Sequence, residues 1–205
     1  NKCVTLQLLW EEYCERNPGG FYSYNHYCRM YREWLKTTSP SMRQVHKAGE
    51  KLFVDYCGPT VGVTDPETGE IRTAQVIVAV LGASSYTWAE ATWSQQLEDW
   101  VMSHVRCFQW LGGVPELVVP DNLKSATSRA CKYDPDVNPT YQQMLEHYNV
   151  AVLPARPRKP KDKAKAEVGV QVVERWIMAR IRHEIFYSLA SLNQRIRELL
   201  ERLNN

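Results

Sequence analysis

Gly49-Glu50-Lys51-Leu52-Phe53-Val54-Asp55-Tyr56 reads as a turn leading into a short apolar strand with an acid set near its end. A carboxylate at the end of a buried strand is costly unless something compensates its charge. The pattern recurs at Leu117-Val118-Val119-Pro120-Asp121-Asn122, where another apolar run closes on an acid. A third acid, Glu167, falls early in an expected helix, directly behind a dense cationic stretch. Two acids on strands and one on a helix suggest that the compensator is a divalent cation.

Working outward from 49–56, the reading is strand-like at first. Leu52–Tyr56, Ile71–Val80 and Tyr86–Thr92 are separated by turns at Asp65-Pro66-Glu67-Thr68-Gly69 and Gly82-Ala83-Ser84-Ser85, which makes a three-strand meander. Leu97, Val101, Val105 and Phe108 then share one helical face within Ser94–Leu111, and Gly112-Gly113 is its stop. A fourth strand is expected at Glu116–Pro120, a short helix at Tyr141–Tyr148 after Asn138-Pro139, and a fifth strand at Val150–Leu153. A long helix from about Asp162 to Arg182 and another from about Leu189 to Leu203 complete the chain. The segment Asn122–Asn138, rich in small and polar residues, reads as a mobile loop.

A meander followed by alternating helices and strands predicts an α/β domain, a mixed five-stranded sheet with helices on both faces. That is the order of a ribonuclease-H-like domain, here spanning 45–205. Upstream, residues 1–44 read as two helices. Leu6, Leu9, Trp10 and Tyr13 form one stripe, Asn17-Pro18-Gly19-Gly20 is a stop, and Ser23 is an N-cap for a helix presenting Tyr24, Tyr27, Tyr31 and Trp34. The pair reads either as a helix-turn-helix-like DNA-binding segment, with Arg29, Arg32 and Lys36 as cations, or as a helical hairpin docked on the next domain.

Composition narrows the classes of function. The chain is 205 residues long, 44% hydrophobic and 23% charged, which suits a soluble protein with a proper core. No apolar stretch is long enough to span a bilayer, and no signal-peptide pattern is present. The six cysteines form no C-x-x-C pair and make no zinc spacing with the five histidines, so free thiols in a cytoplasmic protein are expected. Net charge is only +2, yet Arg156, Arg158, Lys159, Lys161, Lys163 and Lys165 crowd into ten positions with Asp162 as their only acid. Such a local block is the footprint of a polyanionic partner. The first residue, Asn1, suggests a piece of a longer protein.

Phosphodiester cleavage and transfer require charge neutralised on the attacking, leaving and non-bridging oxygens, which two divalent ions about 3.5–4 Å apart achieve in many nucleases and polymerases. Mg²⁺ prefers oxygen ligands and retains several waters, so a few carboxylates suffice. Asp55, Asp121 and Glu167 are the candidate catalytic and metal-binding residues. The alternative is two strand-end caps and a solvated helix residue. The basic run supplies candidate phosphate contacts, Arg and Lys being able to position DNA without reading its sequence. Lys124, three residues after Asp121, reads equally as a phosphate contact or a loop stabiliser.

Three blocks now resemble a known family. Gly49-Glu50-Lys51-Leu52-Phe53-Val54-Asp55-Tyr56, Val119-Pro120-Asp121-Asn122-Leu123-Lys124 and Pro154-Ala155-Arg156-Pro157-Arg158-Lys159-Pro160-Lys161-Asp162-Lys163-Ala164-Lys165-Ala166-Glu167 are similar to the catalytic blocks of IstA-type insertion-sequence transposases, within the DDE transposase and retroviral-integrase superfamily. The resemblance runs along almost the whole chain. It implies that Asp55, Asp121 and Glu167 form the acidic triad with two Mg²⁺ or Mn²⁺ ions, acting on DNA in a bacterial cytoplasm. It also implies a homo-oligomer on paired element ends and a partner AAA+ ATPase that selects the target. Competing expectations are a hydrolytic metal-dependent nuclease and a non-catalytic helix-turn-helix binding or assembly module.

Overall fold

The computed structural model describes residues 4–38, 45–120, 127–129, 136–153 and 160–205. The chain divides into two units, 1–44 and 45–205. The first holds α1 (Leu6–Arg16) and α2 (Tyr24–Thr38). Thr5 caps α1 through the Leu8 N–H. The helices meet through aromatic side chains: Tyr13 stacks on Tyr27, and Trp10 donates its indole N–H to Tyr22 O at 2.9 Å.

In the second unit, strand β1 (Lys51–Tyr56) lies between β3 (Ile71–Leu81), antiparallel, and β5 (Leu117–Pro120), parallel. Beyond β3 is β4 (Thr87–Thr92), and beyond β5 is β8 (Ala151–Val152). The mixed sheet with helices on both faces is as the sequence predicts. Its strand number differs. A further strand, β2 (Val61–Thr64), makes six among the described residues. β1 and β2 follow one another along β3: Tyr56 pairs with Ile77 and Val61 with Ala74. Four residues, Cys57-Gly58-Pro59-Thr60, thus face only Gln75 and Val76. This is a bulge, and Pro59, with no N–H to give to a ladder, lies within it.

The Asn122–Asn138 segment also departs from the loop expectation. It carries a small antiparallel pair, β6 (Thr127–Arg129) with β7 (Asp136–Val137).

Side chains alternate across the sheet. Leu52, Val54 and Tyr56 face α3 (Leu97–Leu111) and α4 (Pro139–His147). Gly112, at φ 66°, ends α3 in the left-handed conformation that glycine adopts without strain. This side is aromatic. Trp100 packs against Tyr56, His104 and Tyr141 with ring centroids 5.8, 4.6 and 5.8 Å away. His104 is fully buried and hydrogen-bonded at both nitrogens. Nδ1–H donates to Trp100 O at 2.8 Å, so Nε2 is left to accept the Tyr141 hydroxyl at 3.1 Å. Burial drives its pKa down to about 4, keeping the ring neutral.

The opposite face is aliphatic. Val76, Val78 and Val80 of β3 meet Val170, Val173 and Ile177 of the long helix and Leu192, Ile196 and Leu199 of α7 (Leu189–Asn204). The long helix runs as α5 (Pro160–Val173), a π-helical turn (Glu174–Met178) and a last turn α6 (Ala179–Ile181). α7 lies along β4. Asn193 brackets the Ala91 N–H and C=O at 2.6 and 2.9 Å, and Asn204 does the same for Thr87 at 2.9 and 2.7 Å.

Candidate active site

Asp55 owes its position to strand alternation. Phe53 packs with Val119 and with Ala166 of α5, and Cys57 lies in the aliphatic core on the same side. Asp55, between them in the alternation, is therefore on the face that α5 covers. It is half-buried, and its Oδ1 accepts the Tyr56 N–H at 2.8 Å. That bond orients the carboxylate.

α5 can lie close to the sheet because small residues make the contact. A Cβ built on Gly169 would stand 2.2 Å from Val80 Cγ2. Ala166 rests on Phe53 and Val119 one turn earlier. At about 100° per residue, the buried stripe of α5 follows Ala166, Val170 and Val173, and Gly169 flanks it towards β3. Glu167 lies on the opposite flank, towards β5, and its side chain is exposed. Glu174, seven residues on, shares that flank. Its Oε1 accepts the Gly58 N–H at 3.3 Å. Burial pushes the Cys57 thiol up to about 12, and the Glu174 and Asp55 carboxylates add to the shift.

Asp55 and the helix carrying Glu167 are thus brought to one face of the sheet. Asp121 lies outside the described residues. The strand before it, β5, ends at Pro120 in register with Val54. Lys124, Arg156, Arg158 and Lys159 also lie outside the described residues. Lys161 and Lys163 fall in the opening turns of α5, where the description extends to the backbone only. Lys165 is described, and its Nζ donates to Ser85 Oγ in the β3–β4 turn at 2.7 Å. Among the described residues, no three His, Cys, Asp or Glu side chains converge on a metal position. No described helix is long and apolar enough to cross a membrane.

Two parts of this neighbourhood escaped the sequence reading. Glu174 was one acid among 23, and its only signal was the seven-residue interval from Glu167. The bulge after Asp55 was signalled only by Gly58-Pro59.

Comparison with known proteins gives consistent results. Residues 45–160 match the family model described as "Integrase core domain". Over 204 residues the chain is 55% identical to a Burkholderia multivorans protein named "Putative transposase for insertion sequence IS408", covering 99% of this chain and 39% of that one. It is 53% identical to the Sinorhizobium fredii "Putative transposase y4uI", covering 100% and 40%. The chain therefore spans about 40% of the length of these curated relatives. Among solved structures, a chain of the simian T-cell lymphotropic virus intasome in complex with PP2A regulatory subunit B56 gamma superposes with a TM-score of 0.54 at 10% identity, over 87% of this chain and 60% of that one. At that identity the likeness speaks for the fold alone.

Proposed function

The chain belongs to the integrase core family, within the superfamily of DDE transposases and retroviral integrases, and on that premise we propose that it is the catalytic core of an IstA-type insertion-sequence DNA transposase. The observation that carries the proposal is the placement of Asp55 on the face of β1 against which α5, the helix of Glu167, is laid through Ala166 and Phe53. Asp121 is the third member, one residue beyond Pro120.

The donor set fits Mg²⁺ or Mn²⁺. Three carboxylates offer only hard oxygen ligands, and their mutual repulsion calls for a compensating cation. When bound, such ions supply Lewis-acid stabilisation of charge on the phosphoryl oxygens. The chain's own part is positional. The Tyr56 N–H orients Asp55, and Gly169 lets α5 bring Glu167 down to the sheet.

The reaction runs in two displacements at phosphorus. Water adds at an element end and the 3′-oxygen leaves with a proton. That 3′-hydroxyl then forms a new P–O bond in target DNA as a target 3′-oxygen departs, with no covalent bond to protein. Lys124, Arg156, Arg158, Lys159, Lys161, Lys163 and Lys165 hold the DNA backbone, Lys165 by exchanging Ser85 for a phosphate. The working form is a homo-oligomer on paired ends, partnered by an AAA+ ATPase that selects the target, in the cytoplasm of a bacterial cell.

The test supplies the full-length protein with pre-cut element ends, target DNA and Mn²⁺. Joined products are expected from the wild type. Asp55→Asn and Asp121→Asn should bind the ends and join nothing. Joining by either variant would sink the triad, and cleavage without joining by the wild type would make the protein a nuclease.

A further inference from the structure

Asp55 follows directly on the last described pairing of β1 with β5. Among the described residues that pairing runs to Val54 and Pro120. The Cys57 N–H still enters the β3 ladder, accepted by Val76 O at 2.8 Å. The amides on either side of it, those of Tyr56 and Gly58, alternate away from β3. Each is taken by a carboxylate: Tyr56 N–H by Asp55 and Gly58 N–H by Glu174.

Gly58 belongs to the bulge between β1 and β2. Bulges re-aim the side chains around them. Glu174 opens the π-helical turn, an irregularity that is rare and gathers at functional sites. Glu174 stands two turns from Glu167 on the same flank of one helix, about 10 Å along its axis. Gly58 stands three residues beyond Asp55, in the bulge that follows β1.

We propose that Glu174 is a positioning residue. Its carboxylate fastens the bulge after β1 to the helix that carries Glu167, and so sets the spacing of Asp55 and Glu167 for a divalent cation. Ala166 on Phe53 fixes one end of the helix–strand contact, and Glu174 on Gly58 fixes the other. Without the second tie, the end of β1 follows the bulge rather than the helix. The inference rests on the triad reading above.

The experiment uses the full-length protein without DNA. Hydrogen–deuterium exchange reads the Gly58 amide, and Mn²⁺ uptake is followed by electron paramagnetic resonance. Glu174→Ala should speed exchange at Gly58 at least about tenfold and weaken Mn²⁺ binding by about 10- to 100-fold, the range for residues that orient metal ligands. Glu174→Gln, which keeps the accepting oxygen, should restore both to within about threefold of the wild type. Glu174→Asp keeps the charge but shortens the reach, and should behave like alanine. Fast exchange with unchanged Mn²⁺ affinity would reduce the tie to a structural one and overturn the proposal. So would a glutamine variant as weak as alanine, since the charge and not the hydrogen bond would then matter. Mn²⁺ uptake indifferent to Asp55→Asn would overturn the triad reading itself, and this inference with it.

Discussion

The two faces of the sheet are built from opposite materials. On the α3–α4 side, Trp100, His104, Tyr141 and Phe108 fill the space with large rings, and a hydrogen-bond chain runs from Trp100 O through His104 to the Tyr141 hydroxyl. On the α5 side, valines, alanines and a glycine make the contact, and carboxylates stand at its margin. Large rings lock a geometry through buried area. Small residues allow a helix backbone to come close, which places a short acidic side chain near a strand. One face holds the sheet in shape, and the other spends little volume and carries the carboxylates proposed for the chemistry.

The sharpest way to break this contrast is Trp100→Ala. It empties the centre of the aromatic face and should cost about 3–5 kcal/mol of stability by chemical denaturation. A loss below about 1 kcal/mol would mean that this face is not the anchor.

Acid probes the same face. His104 has a folded pKa of about 4, below the unfolded value of about 6.5. Its stabilising contribution is therefore complete above about pH 6.5 and is lost as the pH falls from there towards 4. Protonation in the unfolded chain should remove about 2 kcal/mol by pH 5. The measurement is the change in unfolding free energy between pH 7 and pH 5, compared with His104→Gln, whose change should be smaller by that amount.

The smallest effect on stability should come from the other face. In Gly169→Ala the added methyl meets the stiff Val80 side chain. Overpacking of about 1–3 kcal/mol is offset by about 1 kcal/mol of helix propensity. Joining should fall about 100-fold nonetheless, because a helix lifted by about 1 Å misplaces Glu167. A variant that loses stability and joining in equal measure would erase the distinction between the faces.

Much of this was legible beforehand, where local pattern decides structure. The meander, α3 with its glycine stop and the two last helices follow from alternation, periodicity and turn residues. Asp55 stood out because apolar neighbours flank an acid. The break between β1 and β2 did not, because Val61-Gly62-Val63-Thr64 is short and split by glycine. Its strand character comes from pairing with the far half of β3. Gly58-Pro59 was the one hint of the break. His104 gave no sign of its burial, since its partners come from Trp100, one turn before it, and from Tyr141, 37 residues away. Glu174 acquires meaning only once Gly58, 116 residues earlier, is beside it.

Asn193 and Asn204 have a consequence for what the sheet can join. A carboxamide is a peptide group detached from its chain, with a donor and an acceptor side by side. Eleven residues make about three helical turns, so both amides look the same way and answer β4 as the backbone of another strand would. α7 in this sense impersonates a strand. An exposed edge invites pairing with any passing chain. Here the invitation is answered from within, and a second copy could extend the sheet past β4 only by first prising α7 away.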